Sequence, residues 1–139
     1  MNSLQGSKET EIYALGDVMK DRLEGAYGQL TNSIDADLKS RVTVTPERCF
    51  SGFDAYKQVL GSGVDMVILA TAPGFRPMHF EAAVNAGKHI FFEKPVAVDP
   101  VGIRRVMKAG QAAAEKGLGV VTGTQRRHEN CYLEAMKRV

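Results

Sequence analysis

A lysine closes the apolar run in "GKHIFFEKPVAVDP", residues 87–100. His89 to Phe92 reads as a buried strand that stops at Glu93, Lys94 and Pro95. An ammonium group fixed at a strand end can donate to a hydroxyl or carbonyl oxygen and stabilise charge as hydride leaves or arrives. A lysine so placed can also serve in acid–base work. Pro95 restricts the backbone directly after it, which suits a side chain whose direction matters. A solvated Glu-Lys pair at the start of a loop accounts for the same residues equally well.

Three further positions carry chemical meaning. Asp17 ends "YALGD", where a carboxylate can accept two hydrogen bonds from a ribose diol. It can also cap the helix that follows, the commoner role of aspartate there, and the two roles are compatible. "ATAPGF", residues 70–75, is a turn of small residues after the most apolar strand in the chain. Thr71, Ala72 and Pro73 there let backbone N–H groups come close to a phosphate or a flat ring, though a plain structural turn explains the same residues. His79 follows one turn into the next helix, where a histidine is more often a packing or surface residue than a functional one.

Strands alternating with helices position these groups. "EIYALGD" (11–17) fits a short buried strand, and residues 18 to about 38 read as helical, with Val18, Leu23, Ala26, Tyr27 and Leu30 on one face. Asn32-Ser33 divides that helix in two. "RCF" (48–50) is a very short strand, and residues 53–60 form a helix closed by Gly61 and Gly63. "DMVILAT" (65–71) has the continuous apolar character of a strand buried on both faces. Pro77 starts a helix that ends at Gly87. Asp99 as N-cap and Pro100 at the first position begin another, with Ile103, Val106, Met107, Gly110, Ala113 and Ala114 on its apolar face and Gly117 at its end. "LGVVTG" (118–123) is the last strand, and a final helix begins near Glu129.

This alternation predicts an α/β fold, doubly wound, with a mainly parallel sheet. In such sheets the ligand crevice lies beyond the carboxyl ends of the strands. Asp17, Thr71, Glu93-Lys94 and residues 122–125 are expected there together.

Global properties narrow the class. The 139 residues suffice for one core, and 44% hydrophobic with 24% charged residues is ordinary for a globular domain. A net charge of +2 gives no reason to expect nucleic acid or an anionic membrane surface as partner. No apolar run is long enough to span a bilayer, and "MNSLQGSKET" lacks the apolar core of a secretory signal. Cys49 and Cys131 have no metal-ligand spacing, so no metal site is expected and a reducing, cytoplasmic location is.

The stretch "VDMVILATAPGFRPMHFEAAVNAGKHIFFEKPVAVDP" resembles the signature region of the Gfo/Idh/MocA oxidoreductases, the family of glucose–fructose oxidoreductase and inositol dehydrogenase. "EIYALGDVMKDRLEGAYGQL" is similar to the second strand and helix of that family's Rossmann-like domain. The resemblance implies NAD or NADP as cofactor, NAD being slightly favoured by an acidic ribose ligand, and sugars or polyols as substrates. It implies Asp17 at the adenosine ribose, and Thr71, Ala72 and Pro73 along the dinucleotide with His79 nearby. It further implies Glu93, Lys94 and Pro95 at the nicotinamide, Lys94 having a catalytic role, and Gln125 and Arg126 at the border of that pocket.

The family's opening strand and its G-x-G-x-x-G turn, which cradles the pyrophosphate, have no counterpart here. The expected organisation is a polar leader (1–10) and an incomplete dinucleotide-binding domain (11–139), without the family's substrate domain. Turnover by this chain alone is not expected. The missing strand would lie between residues 11–17 and 65–71, so those strands either pair directly or leave edges that a homodimer covers. A non-catalytic nucleotide-binding or interaction module is the alternative.

Overall fold

Short strands each followed by a helix appear throughout the computed structural model, which describes residues 2–32 and 35–139. The chain divides into two units, Met1–Val64 and Asp65–Val139.

The first unit contains α1 (Asn2–Gly6), β1 (Leu15–Asp17), α2 (Lys20–Asn32), α3 (Ala36–Lys39), a 3-10 turn (Pro46–Arg48), β2 (Cys49–Ser51) and α4 (Ala55–Gly61). β1 and β2 pair in parallel, Leu15 opposite Cys49 and Asp17 opposite Ser51. Leu4, Leu23, Val44 and Ala55 are its buried apolar residues. Within the stretch read as a polar leader, residues 2–6 are therefore helical and Leu4 is buried. The expected strand 11–17 is shorter: only Leu15–Asp17 pairs as a strand, while Ile12 makes a single bridge to Val42, and Gly16 and Asp17 are exposed. The expected long helix starts two residues later, at Lys20, leaving Val18 exposed, and Ala26 also faces outward. The predicted break at Asn32-Ser33 falls partly on Ser33, outside the described residues. Gly16 has a packing reason. A Cβ there would sit 2.9 Å from Val59 Cγ2, so glycine is what lets β1 lie against α4.

The second unit contains β3 (Met66–Leu69), α5 (Arg76–Asn85), β4 (His89–Glu93), α6 (Pro100–Glu115), β5 (Val120–Gly123), a 3-10 turn (Gln125–Arg127) and α7 (Asn130–Met136). Its strands are parallel in the order β3-β4-β5, with Leu69 opposite Phe92 and Glu93 opposite Gly123. Helix α5 packs on β3, β4 and α6. Phe80 from α5 stacks on Phe92 from β4 with ring centroids 4.8 Å apart, and Ala83, Val84, Ile90, Ala109 and Ala113 complete the interior.

Two expectations fail in this unit. β3 is not buried on both faces: Val67 and Leu69 point inward, while Met66 and Ile68 are 44% and 52% exposed. Two successive right-handed crossovers that advance in one direction put α5 and α6 on the same side of the sheet. On α6 the inward residues are Ala109 and Ala113, while Ile103, Met107 and Ala114 of the predicted apolar face are exposed. Small residues on the inner side let α6 sit close, and its larger side chains turn outward.

The helix signals hold. Asp99 Oδ1 accepts the Gly102 N–H (2.6 Å), Pro100 is the first residue of α6, and Gly87 and Gly117 take the left-handed conformation beyond their helices (φ 69° and 67°). Asp99→Ala is expected to cost about 0.5–2 kcal/mol of stability through the lost cap, measurable by urea denaturation followed by circular dichroism. No helix among the described residues is long and apolar enough to cross a membrane.

Candidate functional site

Beyond the carboxyl end of β3 the chain turns through Thr71–Phe75 before α5 begins. The Phe75 N–H donates to Ala72 O at 3.0 Å, which closes the turn. Among the described residues, the N–H groups of Ala72 and Gly74 make no backbone hydrogen bond, and a Cβ on Gly74 would meet nothing within 4 Å. The turn is therefore open on the side where a ligand would lie against backbone donors.

His79 stands behind this turn. It is buried, and its Nδ1 lies 3.1 Å from Thr71 Oγ1 in a hydrogen bond whose donor depends on the ring tautomer. Its ring also stacks near Phe75, centroids 6.2 Å apart. Burial pushes its pKa below the ordinary histidine value, so the ring is held neutral. The structure makes His79 the support of Thr71. As pH falls, the unfolded chain, whose histidine titrates near about 6.5, takes up the proton before the folded one does. Stability is thus fully present above that value and falls as the pH drops through it toward the lower folded-state value. Melting temperature is expected to decline from pH 7 to pH 5 by this route, and His79→Gln to flatten the decline in circular dichroism melts.

One residue of this region has no counterpart in the sequence reading. Arg76, the first residue of α5, is only 6% exposed. Its Nε donates to Thr71 O (2.7 Å), and its Nη1 donates to both Glu93 O (2.9 Å) and Pro95 O (2.6 Å). The sequence offers one faint signal for it, an arginine directly before the proline that starts a helix.

β4 runs through Glu93, so Lys94 is the first residue past the strand. The Glu93 side chain lies against Gly123, where an added Cβ would approach Glu93 Cδ to 2.9 Å. No ion pair joins Glu93 to Lys94 among the described residues. Lys94 and Pro95 are exposed, and the peptide between them is cis. Gln125 and Arg126 lie in the 3-10 turn two residues past β5, both exposed, with the Arg126 guanidinium 5.6 Å from the centre of the Tyr132 ring. Within this unit, Thr71, Ala72 and Pro73, Glu93, Lys94 and Pro95, and Gln125 and Arg126 follow the carboxyl ends of three adjacent parallel strands.

Asp17 belongs to the first unit. Its Oδ1 accepts the Met19 N–H at 2.8 Å, a bond that turns the chain just before α2 begins at Lys20 and meets none of the helix's own first-turn N–H groups. Its second carboxylate oxygen has no hydrogen bond among the described residues, which leaves an exposed acceptor at the end of β1. Cys49 and Cys131 are free thiols.

The family profile described as "Oxidoreductase family, NAD-binding Rossmann fold" (Gfo/Idh/MocA) matches residues 2–124. Inositol 2-dehydrogenase of Klebsiella pneumoniae (strain 342) is 31% identical over 121 residues, covering 84% of this chain and 34% of that protein. The chain spans about a third of the length of the curated relatives it matches. Aldose-aldose oxidoreductase from Caulobacter crescentus, solved with glycerol, superposes with a TM-score of 0.69 at 20% identity, over 99% of this chain and 36% of that one. Scyllo-inositol dehydrogenase from Lactobacillus casei, solved with bound NAD(H) and scyllo-inositol, matches at 25% identity with a TM-score of 0.58, over 91% of this chain and 40% of that one. Match, fold and the order of residues along the strand ends agree: the chain belongs to the Gfo/Idh/MocA oxidoreductase family, with its NAD-binding Rossmann fold.

Proposed function

We propose that these residues form the nicotinamide-dinucleotide-binding part of a dehydrogenase acting on a sugar or polyol, with Lys94 as its acid–base group. The observation that carries this reading is an exposed Lys94 amine, free of ion pairs and hydrogen bonds among the described residues, directly beyond β4 and beside the strand whose open turn is Thr71–Phe75. The residues present fit such a cofactor in part. In the second unit the open amides of Ala72 and Gly74 can take carbonyl or phosphate oxygens; the first unit, by itself, offers the second oxygen of Asp17 as an acceptor for a ribose hydroxyl. A bound nicotinamide supplies the hydride acceptor. Lys94, as the neutral amine, would hold the substrate hydroxyl and take its proton to become the ammonium, while Glu93 would brace the strand end and Gln125 and Arg126 would border the pocket.

The sequence contains no glycine-rich pyrophosphate turn, so weak binding and no polyol oxidation by these 139 residues alone are expected. A thermal-shift titration with NAD and with NADP tests the reading: NAD should raise the melting temperature more than NADP. Asp17→Asn keeps an acceptor for the Met19 N–H but removes the charge that repels a 2′-phosphate, and is expected to narrow that preference. If neither dinucleotide shifts the wild-type melt, the cofactor reading is wrong.

A second reading is favoured by the uncovered face of β3-β4-β5, where Met66, Ile68 and Val121 are 44–58% exposed. On it the chain is a non-catalytic module that pairs with a second copy over this apolar face. Sedimentation of a monomer up to high concentration would exclude it.

A further inference from the structure

Arg76 and His79 are the buried polar residues among those described. The Thr71 hydroxyl and burial account for His79, whereas Arg76 is a cation inside the protein with no carboxylate bound to it. It also occupies the first position of α5, the end of a helix where positive charge is disfavoured. A desolvated guanidinium at such a place persists only where its donors are met in good geometry. Three of its five are met by main-chain carbonyls: Thr71 in the turn after β3, Glu93 at the end of β4 and Pro95 just beyond it.

The last two carbonyls straddle Lys94. Both are held by the same nitrogen, Nη1, so the Glu93–Lys94 and Pro95–Val96 peptides, on either side of the Lys94–Pro95 bond, converge on one point. Pro95 has no N–H and contributes no donor of its own, so this segment depends on an acceptor bond for its anchorage. The Nε bond ties that point to the turn that bears the open amides. Lysine could not replace the fork, because a single ammonium at the end of a flexible stem cannot present the planar, divergent donors of a guanidinium.

We infer that Arg76 is a positioning residue that fixes the Lys94 backbone against the Thr71 turn. This rests on the reading of Lys94 as the acid–base group, but its physical content, an immobilised Lys94 backbone, is measurable without cofactor or substrate.

The test compares the 139-residue chain with Arg76→Lys and Arg76→Gln by ¹⁵N relaxation. In the wild type, Lys94 and Val96 should show order parameters of about 0.85, as rigid backbone does, falling below about 0.6 in both variants while Ile90, Phe91 and Phe92 keep theirs. Arg76→Lys, which retains the charge, should fail to rescue. In the wild type alone, the Arg76 Nε–H should exchange with water at least ~10-fold more slowly than that of the exposed Arg126, as a buried bonded donor does. This measurement stands even where the variants do not fold. Unchanged order parameters at Lys94 and Val96, or a loss spread evenly over β3, β4 and β5, would overturn the inference, as would fast exchange of the Arg76 Nε–H. Titration with NAD then separates the two ideas. If the wild type binds no NAD, the cofactor reading falls while the order parameters still decide the role of Arg76. If it binds, the variants should bind at least ~10-fold more weakly.

Discussion

Phe80→Ala is expected to lower the unfolding free energy by about 3–5 kcal/mol, the usual range for a fully buried phenylalanine. Phe80 is 1% exposed and stacks nearly parallel on Phe92, with 6° between the rings. Its ring joins α5 to β4 in the interior of the second unit. Truncation removes most of a large side chain between a helix and a strand that are each fixed at their ends, so the gap cannot close by collapse. Domains of this size hold only about 5–15 kcal/mol in total, so the loss would consume much of that margin. Urea denaturation followed by circular dichroism measures it. A cost below about 1 kcal/mol would mean that α5 does not pack on β4 as described. Phe80→Leu, which keeps most of the volume, should cost clearly less.

Gly102→Ala is expected to destabilise by about 1–3 kcal/mol, although alanine is the better helix former. A Cβ at this position would lie 2.9 Å from Ala97 Cβ and 3.0 Å from Pro77 Cγ. Neither neighbour can swing aside, since one is a methyl on the backbone and the other part of a ring. Relief must come from a shift of α6 relative to the loop at residues 95–99 that leads back to Lys94. Gly110→Ala in the same helix is the control: its Cβ would meet nothing within 4 Å, and it should stabilise slightly through helix propensity. Equal effects of the two substitutions in thermal melts would refute the close approach at Gly102.

The contrast between these positions shows where sequence reasoning works. The start of α6 was legible because its signals are local: Asp99 caps and Pro100 pre-sets the first turn whatever the rest of the fold does. Gly87 and Gly117 were legible for the same reason, since their left-handed backbone favours glycine. The facing of β3 was not, because an apolar run does not say how many layers will cover it. That depends on which side the next two crossovers fall. The outward turn of Ile103 and Met107 was hidden likewise, being decided by the close approach of α6 at Ala109 and Ala113.

At the candidate site, Thr71, Lys94 and Asp17 were legible as residue types with possible chemistry. Arg76 was not, because its partners are carbonyl groups, which every residue has, and they lie 17 and 19 residues away. Residue identity carries no mark of such an acceptor. His79 shows a middle case. Its position on the helix was readable, but its function as the buried support of Thr71 came only with the fold.

The absence of a carboxylate from the Arg76 clamp bears on acid tolerance. Ion pairs loosen in acid because the carboxylate gains a proton, but peptide carbonyls have none to gain in that range. The protonation of His79 and of surface acids can therefore change the stability of the fold with pH, while the bonds beside Lys94 stay as they are for as long as the unit remains folded. Salt should leave them equally untouched, since they are short contacts to a desolvated group rather than exposed charges open to screening. The geometry around the lysine is thus buffered against both variables that most readily disturb a charged surface.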